Sequence, residues 1–206
     1  MKMRYVGISV LVVLFMSRIT NAQEATHFPT AKEQINELKG GTLLIKLNTQ
    51  SQRIEHRIKT GQKKRAQELI DQVEKEHAAI IASFKNFYLF SDYYFFLSDD
   101  SDAVLLKKDY KSLFKVKNQN IKPQKLVDQP YVLILGVPPG YSTVDKYKFI
   151  LYSSDADGIK SVVKPMPKVF KTQSKKLFSN SYDFKRSVQK MQDRLFEFYQ
   201  KMNLIE

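Results

Sequence analysis

One long stretch of regularly spaced apolar residues restricts the fold more than any other feature of the sequence. Between residues 54 and 84, apolar side chains recur at spacings of three, four and seven, which places them on one helical face. Thr49 or Ser51 can cap the start of this helix, and Gly61 either breaks it into two or is tolerated within one. The face comprises Ile54, Ile58, Ala66, Leu69, Ile70, Val73, His77, Ile80, Ile81 and Phe84.

The segments on either side of this helix are predicted strands. Residues 42 to 47 follow two glycines and are almost continuously apolar, which is typical of a strand buried on both faces. Residues 93 to 97 are four aromatic residues followed by leucine. A strand, a helix and a second strand form a β-α-β unit, whose strands normally pair in parallel. The sequence therefore predicts an α/β or α+β fold with a β-α-β start.

The rest of the chain predicts a β-rich middle and a closing helix. Short strands are expected within residues 103 to 125, and better ones at 131 to 137 and 147 to 152. Residues 159 to 170 contain two prolines, which suits only an edge strand. We predict a single domain, residues 40 to 206, in which a mixed sheet carries a C-terminal amphipathic helix. The apolar face of that helix comprises Phe184, Val188, Met191, Leu195, Phe198 and Met202.

The first 22 residues have the pattern of a secretory signal peptide. Lys2 and Arg4 precede an apolar run, and residues 20 to 22 provide a cleavage site of small residues. No cysteine follows for lipid attachment, so we expect a soluble periplasmic or secreted protein with no membrane span after cleavage. Residues 23 to 39 are predicted to be a polar lead-in with one helical turn.

Charge and cysteine content limit the possible chemistry. The chain has no cysteine, which excludes disulfides, thiol nucleophiles and thiolate metal sites. Its formal net charge is +13, which indicates an anionic envelope partner such as lipid head groups, an acidic glycan or an acidic protein. Nucleic acid is not expected as a partner of an exported protein. The alternative interpretation is that the charge only maintains solubility.

Lysines are concentrated in one late segment. Residues 160 to 176 contain six lysines and no acid, and a second cluster occupies residues 63 to 65. The late segment can form a cationic strip for an anionic partner, or its lysines can protect an edge strand from pairing with other chains. The strip consists of Lys160, Lys164, Lys168, Lys171, Lys175 and Lys176.

Polar residues follow the two predicted strands of the β-α-β unit. In open α/β sheets, ligands bind beyond the carboxyl ends of parallel strands. If the strands at 42 to 47 and 93 to 97 are parallel, the residues that follow them meet at one edge. A hydrolase or a metal-dependent enzyme can use acids at this position. The candidate ligand site comprises Asn48, Thr49, Ser98, Asp99, Asp100 and Asp102.

Established catalytic and metal-binding motifs are missing from the sequence. There is no G-x-S-x-G, no phosphate-binding G-x-x-x-x-G-K-[ST] and no H-E-x-x-H. Residues 153 to 158 resemble the start of a calcium loop but have serine first and Lys164 twelfth, so they are interpreted as a turn. His77 is interpreted as a partly buried structural histidine. We therefore assign no catalytic residue, no metal and no cofactor.

The order of these segments resembles a family of uncharacterised exported proteins of Bacteroidota. The resemblance is carried by residues 41 to 47, 94 to 101, 149 to 155 and 194 to 199. It implies an envelope or secreted setting and supplies no activity and no functional residues.

Together these observations favour a non-enzymatic periplasmic binding or envelope-associated protein with a basic surface. The first alternative is the hydrolase or metal-dependent enzyme described above. The second is a scaffold or assembly subunit that presents part of its aromatic surface as an interface.

Overall fold

The computed structural model describes residues 29–116, 119–120, 130–136, 148–155, 158–171 and 184–204. The predicted signal peptide lies outside these residues. The helices are α1 (Ala31–Gly40), α2 (Ser51–Lys59), α3 (Lys63–Phe87) and α4 (Phe184–Asn203), with a 3₁₀ turn at Ser98–Asp100 and a π-helical turn at Asp102–Leu106. The strands are β1 (Thr42–Leu47), β2 (Asp92–Leu97), β3 (Phe114–Val116), β4 (Gln119–Asn120), β5 (Tyr131–Gly136), β6 (Lys148–Asp155), β7 (Gly158–Ser161) and β8 (Val169–Lys171).

The strands form one mixed sheet in the order β4-β3-β2-β1-β5-β6-β7, with β8 also paired to β6. Strand β1 is central and runs parallel to both β2 and β5, whereas the outer pairs are antiparallel. The predicted fold is confirmed: a single mixed α/β domain has helical structure after its first strand and a C-terminal helix packed on its sheet. Because β1 and β2 are parallel, their carboxyl ends lie at the same edge.

Alternation along β1 divides the core into two layers. Leu43, Ile45 and Leu47 face the layer that contains α1, α3 and α4, while Leu44 faces the opposite layer. The opposite layer is completed by Val104 and other residues of the segment that follows β2. Strand β1 is therefore apolar at almost every position because both of its faces are covered.

Helix α1 corrects the prediction of a polar lead-in. Thr30 caps it through a capping box: the Glu33 backbone N–H donates to Thr30 Oγ1 at 3.2 Å, and the Thr30 N–H donates to Glu33 Oε2. Ile35 and Leu38 are fully buried in the core that the helices share with the sheet. The domain therefore begins about ten residues earlier than the predicted start at Gly40.

The segment between β1 and β2 contains two helices instead of one. Gly61 has φ +75°, a left-handed conformation that glycine adopts without the steric cost of a side chain, and it separates α2 from α3. The predicted apolar face is buried only from Ala66 onwards, because Ile54 is half-buried and Ile58 remains 50% exposed. The predicted caps are also absent: the N-cap of α2 is Gln50, which makes no side-chain capping bond.

The segment predicted as one edge strand at residues 159 to 170 forms two short strands. Strands β7 and β8 pair one after the other with the outer side of β6. Between them lie Pro165 and Pro167, which cannot donate ladder hydrogen bonds. The turn predicted at residues 153 to 158 is shorter than expected, because residues 153 to 155 belong to β6 and Gly158, at φ +117°, already opens β7.

Helix α4 closes the helical layer, as predicted. Val188, Met191 and Leu195 are almost fully buried against the core, and the Phe184 ring lies 6.0 Å from the ring of Phe149 on β6. At about 25 cal/mol per Å² of apolar surface, a row of buried side chains on this scale contributes several kcal/mol to folding. Helix α4 is therefore an integral part of the domain.

Candidate functional site

The carboxyl ends of β1 and β2 border an open depression of about 400 Å³. Four of the six residues of the candidate ligand site line it: Asn48 and Thr49 after β1, and Ser98 and Asp99 after β2. They come together because the two strands are parallel and end in register at Leu47 and Leu97. The remaining lining residues are Gln50, Ser51, Gln52 and Arg53.

Hydrogen bonds organise the floor of this depression around the carboxylate of Asp99. Thr49 Oγ1 donates to Asp99 Oδ1 at 2.7 Å, and Ser51 Oγ donates to Asp99 Oδ2 at 2.6 Å. Ser98 Oγ lies 2.8 Å from Thr49 Oγ1 and accepts the Thr49 backbone N–H at 3.0 Å. With Ser98 Oγ as the donor to Thr49 Oγ1, each of the three hydroxyl protons has one acceptor. The network therefore ties the ends of two strands to the start of α2.

The network keeps Asp99 ionised. Hydrogen bonds donated by Ser51 and Thr49 lower the pKa of the Asp99 carboxyl below its ordinary value, because they stabilise the charged form. A carboxylate with a lowered pKa is a weaker base. It is therefore poorly suited to removing a proton from the hydroxyls that it holds. The arrangement is better suited to positioning the chain than to activating a serine or threonine nucleophile.

The remaining predicted acids lie apart from the depression. Asp100 ends the 3₁₀ turn and is half-buried, while Asp102 begins the π-helical turn and is exposed. Neither residue lines the depression. Their role in a ligand site stays a prediction, and the geometry brings together only the four residues nearest the strand ends.

Ser51 is the site residue that the sequence interpretation missed. It was assigned as a possible helix cap, but its hydroxyl bonds Asp99. Gln50, directly before it, has φ 53° and ψ 26°, and this left-handed residue turns the chain sharply between Thr49 and Ser51. The hydroxyls two positions apart at 49 and 51 thereby converge on one carboxylate. The sequence sign of this convergence is the pair of hydroxyl residues two positions apart after β1, together with the acid that follows the neighbouring parallel strand β2.

His77 fixes α3 to this edge of the sheet. Its Nε2 atom lies 3.0 Å from the carbonyl oxygen of Asn48, and its side chain is buried. The histidine is thus a structural contact between a helix and the end of β1. His56 is exposed on α2, and the described segments contain no group of three or more histidine, cysteine, aspartate or glutamate side chains arranged to hold a metal ion.

Next to the depression, the chain forms a basic projection. We call residues 53 to 65 the basic tip; it comprises most of α2, the turn at Gly61 and the start of α3. None of its side chains is buried, and only Ile54 and Arg57 are half-buried. Its charged residues are Arg53, Glu55, Arg57, Lys59, Lys63, Lys64 and Arg65.

The lysine strip lies along the opposite part of the sheet, at the edge formed by β7 and β8. Lys160, Lys164 and Lys171 are exposed and Lys168 is half-buried. Lys175 and Lys176 lie outside the described residues. The four described lysines therefore lie on or beside β7 and β8, both interpretations of the strip stay predictions, and the basic tip is a separate positive region.

Three Ser-x-x-Lys spacings occur in the sequence, at residues 112 to 115, 161 to 164 and 187 to 190. The first two lie outside any helix, and the third lies within α4. In the first, Lys115 Nζ pairs with Asp92 Oδ1 and lies 4.8 Å from the centre of the Tyr94 ring. This lysine is thus held by β2 and its neighbours. The first two spacings lack the helical setting in which a lysine one turn after a serine can activate it. In the third, Ser187 is buried and so is inaccessible to a substrate, while Lys190 is exposed.

Comparisons with known proteins give no further assignment. No protein-family model matches the chain, and neither a curated protein nor a solved structure is similar to it. Across the residues that the structure describes, no helix is both long and apolar enough to cross a membrane.

Proposed function

We propose that this protein is an exported, non-enzymatic binding protein whose partner is an anionic component of the cell envelope. The observation that supports the proposal is the basic tip, where six basic residues, five of them exposed and Arg57 half-buried, accompany one acid on a projecting pair of helices. The envelope setting depends on the predicted leader and on the resemblance to exported proteins. Positive charge clustered on one surface raises the local concentration of anionic partners and accelerates their association.

Binding to anionic probes across a range of salt concentrations tests this function. The chain from residue 23 onward is titrated with an acidic glycan such as heparin and with vesicles that contain phosphatidylglycerol. We expect binding at low salt that weakens steeply as salt rises, because the Debye length shrinks from about 30 Å at 0.01 M to about 8 Å at physiological ionic strength. Absence of binding to every anionic probe at low salt would refute the proposal.

The enzymatic alternative has one supporting observation, which is the depression beside Asp99. Its lining contains both Arg53 and Asp99 and is open to solvent, so a small polar molecule could be held there. The lowered pKa of Asp99 argues against a role as general base. Hydrolysis assays on a panel of ester and phosphoester substrates, with Asp99→Asn as the matched variant, test this alternative.

A scaffold function is the second alternative. Leu89, Leu106 and Leu204 are each more than 60% exposed, and they lie on separate segments of the chain. Single exposed apolar residues are common on monomeric proteins and do not define an interface. Light scattering after size-exclusion chromatography measures self-association directly, and a stable dimer or larger assembly would favour the scaffold.

A further inference from the structure

The basic tip extends well beyond the sheet. His77 contacts the carbonyl of Asn48, so this residue marks the level at which α3 passes the end of β1. Helix α3 begins at Lys63, fourteen residues earlier, and a helix rises about 1.5 Å per residue, so the first part of α3 extends about 20 Å past that level. Helix α2 runs alongside, and Arg57 Nη1 donates to the Arg65 carbonyl at 3.0 Å. The two helices form a projecting arm.

Charge is segregated along this arm. The basic tip has six basic residues and one acid, and that acid, Glu55, pairs with Lys59 at 2.8 Å. The base of the arm, residues 66 to 76, has the opposite balance, with four acids and Lys75 as its one basic residue. An anionic surface attracts the tip and repels the base. The arm therefore approaches such a surface with the tip first.

The start of α3 is an unfavourable place for positive charge. Lys63, Lys64 and Arg65 occupy its first turn, which contains no acid and has no side-chain cap. The helix dipole places partial positive charge at this end, so cations there are destabilising. None of the three side chains is buried. Residues that destabilise local structure and give no compensating benefit to folding are expected at positions where function requires them.

We propose that the basic tip docks on a lipid bilayer that carries anionic head groups. This inference depends on the proposed function and names the partner of the same surface. A projecting, convex set of point charges suits the diffuse charge of a flat surface, and each basic residue near an anionic membrane contributes about fivefold to affinity. Ile58, 50% exposed within the tip, supplies an apolar side chain at the head-group boundary.

The chemistry of the tip favours a bilayer over a soluble polyanion. Specific phosphate recognition usually uses the fork of arginine in a shaped site, whereas lysine binds as a point charge. The three arginines of the tip are not arranged as such a site, because they donate to Gln50, to the Arg65 carbonyl and to Gln62, respectively. Its three lysines act as point charges. The depression next to the basic tip is lined by the ionised carboxylate of Asp99, which repels an anionic chain that enters it. The positive side chains are instead presented outward, on residues that make up the end of the arm.

Vesicle co-sedimentation tests the proposal. The chain from residue 23 onward is mixed with phosphatidylcholine vesicles with and without phosphatidylglycerol. The test variant is Lys63→Gln/Lys64→Gln/Arg65→Gln, and the matched control is Lys164→Gln/Lys168→Gln/Lys171→Gln, which removes three charges from the lysine strip. We expect the test variant to lose about a hundredfold in affinity for anionic vesicles, and the control to lose less than threefold. Thermal unfolding confirms that both variants fold.

The outcomes separate this inference from the general function. Binding of the unsubstituted chain to heparin but not to anionic vesicles would overturn the bilayer proposal and leave the anionic partner in place. Equal losses in the two triple variants would overturn the assignment to the tip, because net charge alone would then explain binding. No binding to any anionic probe at low salt would overturn both.

Discussion

The two ends of α3 lie in opposite surroundings. At its C-terminal end, the ring of Phe84 is fully buried, with its centre 5.3 to 6.0 Å from the rings of Tyr88, Tyr93, Phe95 and Phe149. At its N-terminal end, the first three residues are exposed and basic. The aromatic end makes contacts that folding requires, and the basic end makes none of that kind. One helix thus combines a structural half with a half that is available for binding.

Replacing the central aromatic side chain should give the largest loss of stability. We expect Phe84→Ala to lower the free energy of unfolding by about 3–5 kcal/mol, because it removes apolar contacts and leaves a cavity. Lys85→Ala, at the exposed neighbouring position, is the control and should change it by less than about 0.5 kcal/mol. Urea unfolding measures both. If Phe84→Ala lowered the free energy of unfolding as little as Lys85→Ala does, the aromatic half of α3 would not be the stabilising half.

The Asp99 network, which joins the sheet to the arm, should have an intermediate effect. We expect Asp99→Asn to lower the free energy of unfolding by about 1 kcal/mol, since an amide keeps part of the hydrogen bonding without the charge. Because the pKa of Asp99 is lowered on folding, its contribution is present above the ordinary aspartate pKa and is lost as pH falls through the folded value.

Unfolding at several pH values measures this contribution. The difference between the original chain and Asp99→Asn should be constant between about pH 5 and 7, and should shrink below about pH 4. A difference that grows in acid would contradict the assigned direction of the pKa shift.

A substitution at Gly61, in the turn between α2 and α3, should destabilise the arm without affecting the core. Gly61 has φ +75°, so Gly61→Ala should cost about 1 kcal/mol, whereas Gly40→Ala, where no left-handed φ is required, is the control. We expect faster hydrogen exchange in α2 and unchanged protection in the C-terminal half of α3. Slower exchange in α2, or lost protection around Phe84, would show that the two halves are coupled differently.

Neutralising the basic end of α3 should change the free energy of unfolding least, and should raise it where the other substitutions lower it. Lys63→Gln/Lys64→Gln/Arg65→Gln removes cations from the start of a helix, so we expect the free energy of unfolding to rise by about 0.5 kcal/mol or to stay unchanged. Urea unfolding at low salt measures this. A loss of more than about 1 kcal/mol would mean that these residues stabilise the fold, and the contrast between the two ends would fail.

Much of the fold could be predicted because the pattern of apolar residues is determined by the surfaces that each element covers. Strand β1 is apolar at almost every position because two layers cover it, and α4 has one apolar face because it packs on one side. Helix α1 was missed because its apolar signal is short. Its capping box at Thr30 and Glu33 was the readable sign.

The convergence of Asn48, Thr49, Ser98 and Asp99 followed from a topological rule about parallel strands, so sequence reasoning could anticipate it. The participation of Ser51 could not be anticipated in that way, because it depends on the left-handed conformation of Gln50, a residue type with no strong preference for it. The projection of the basic tip was also hidden, since periodicity cannot show that Ile54 and Ile58 lie beyond the sheet edge.

The central position of β1 affects the order in which the chain can fold. Leu43 pairs with Tyr93 on one side and with Tyr131 on the other, so the second partner follows the first strand in sequence by roughly ninety residues. Until β5 is available, one side of an apolar strand has unpaired backbone groups that can recruit another chain. Protection against aggregation during synthesis is therefore completed by the second half of the protein.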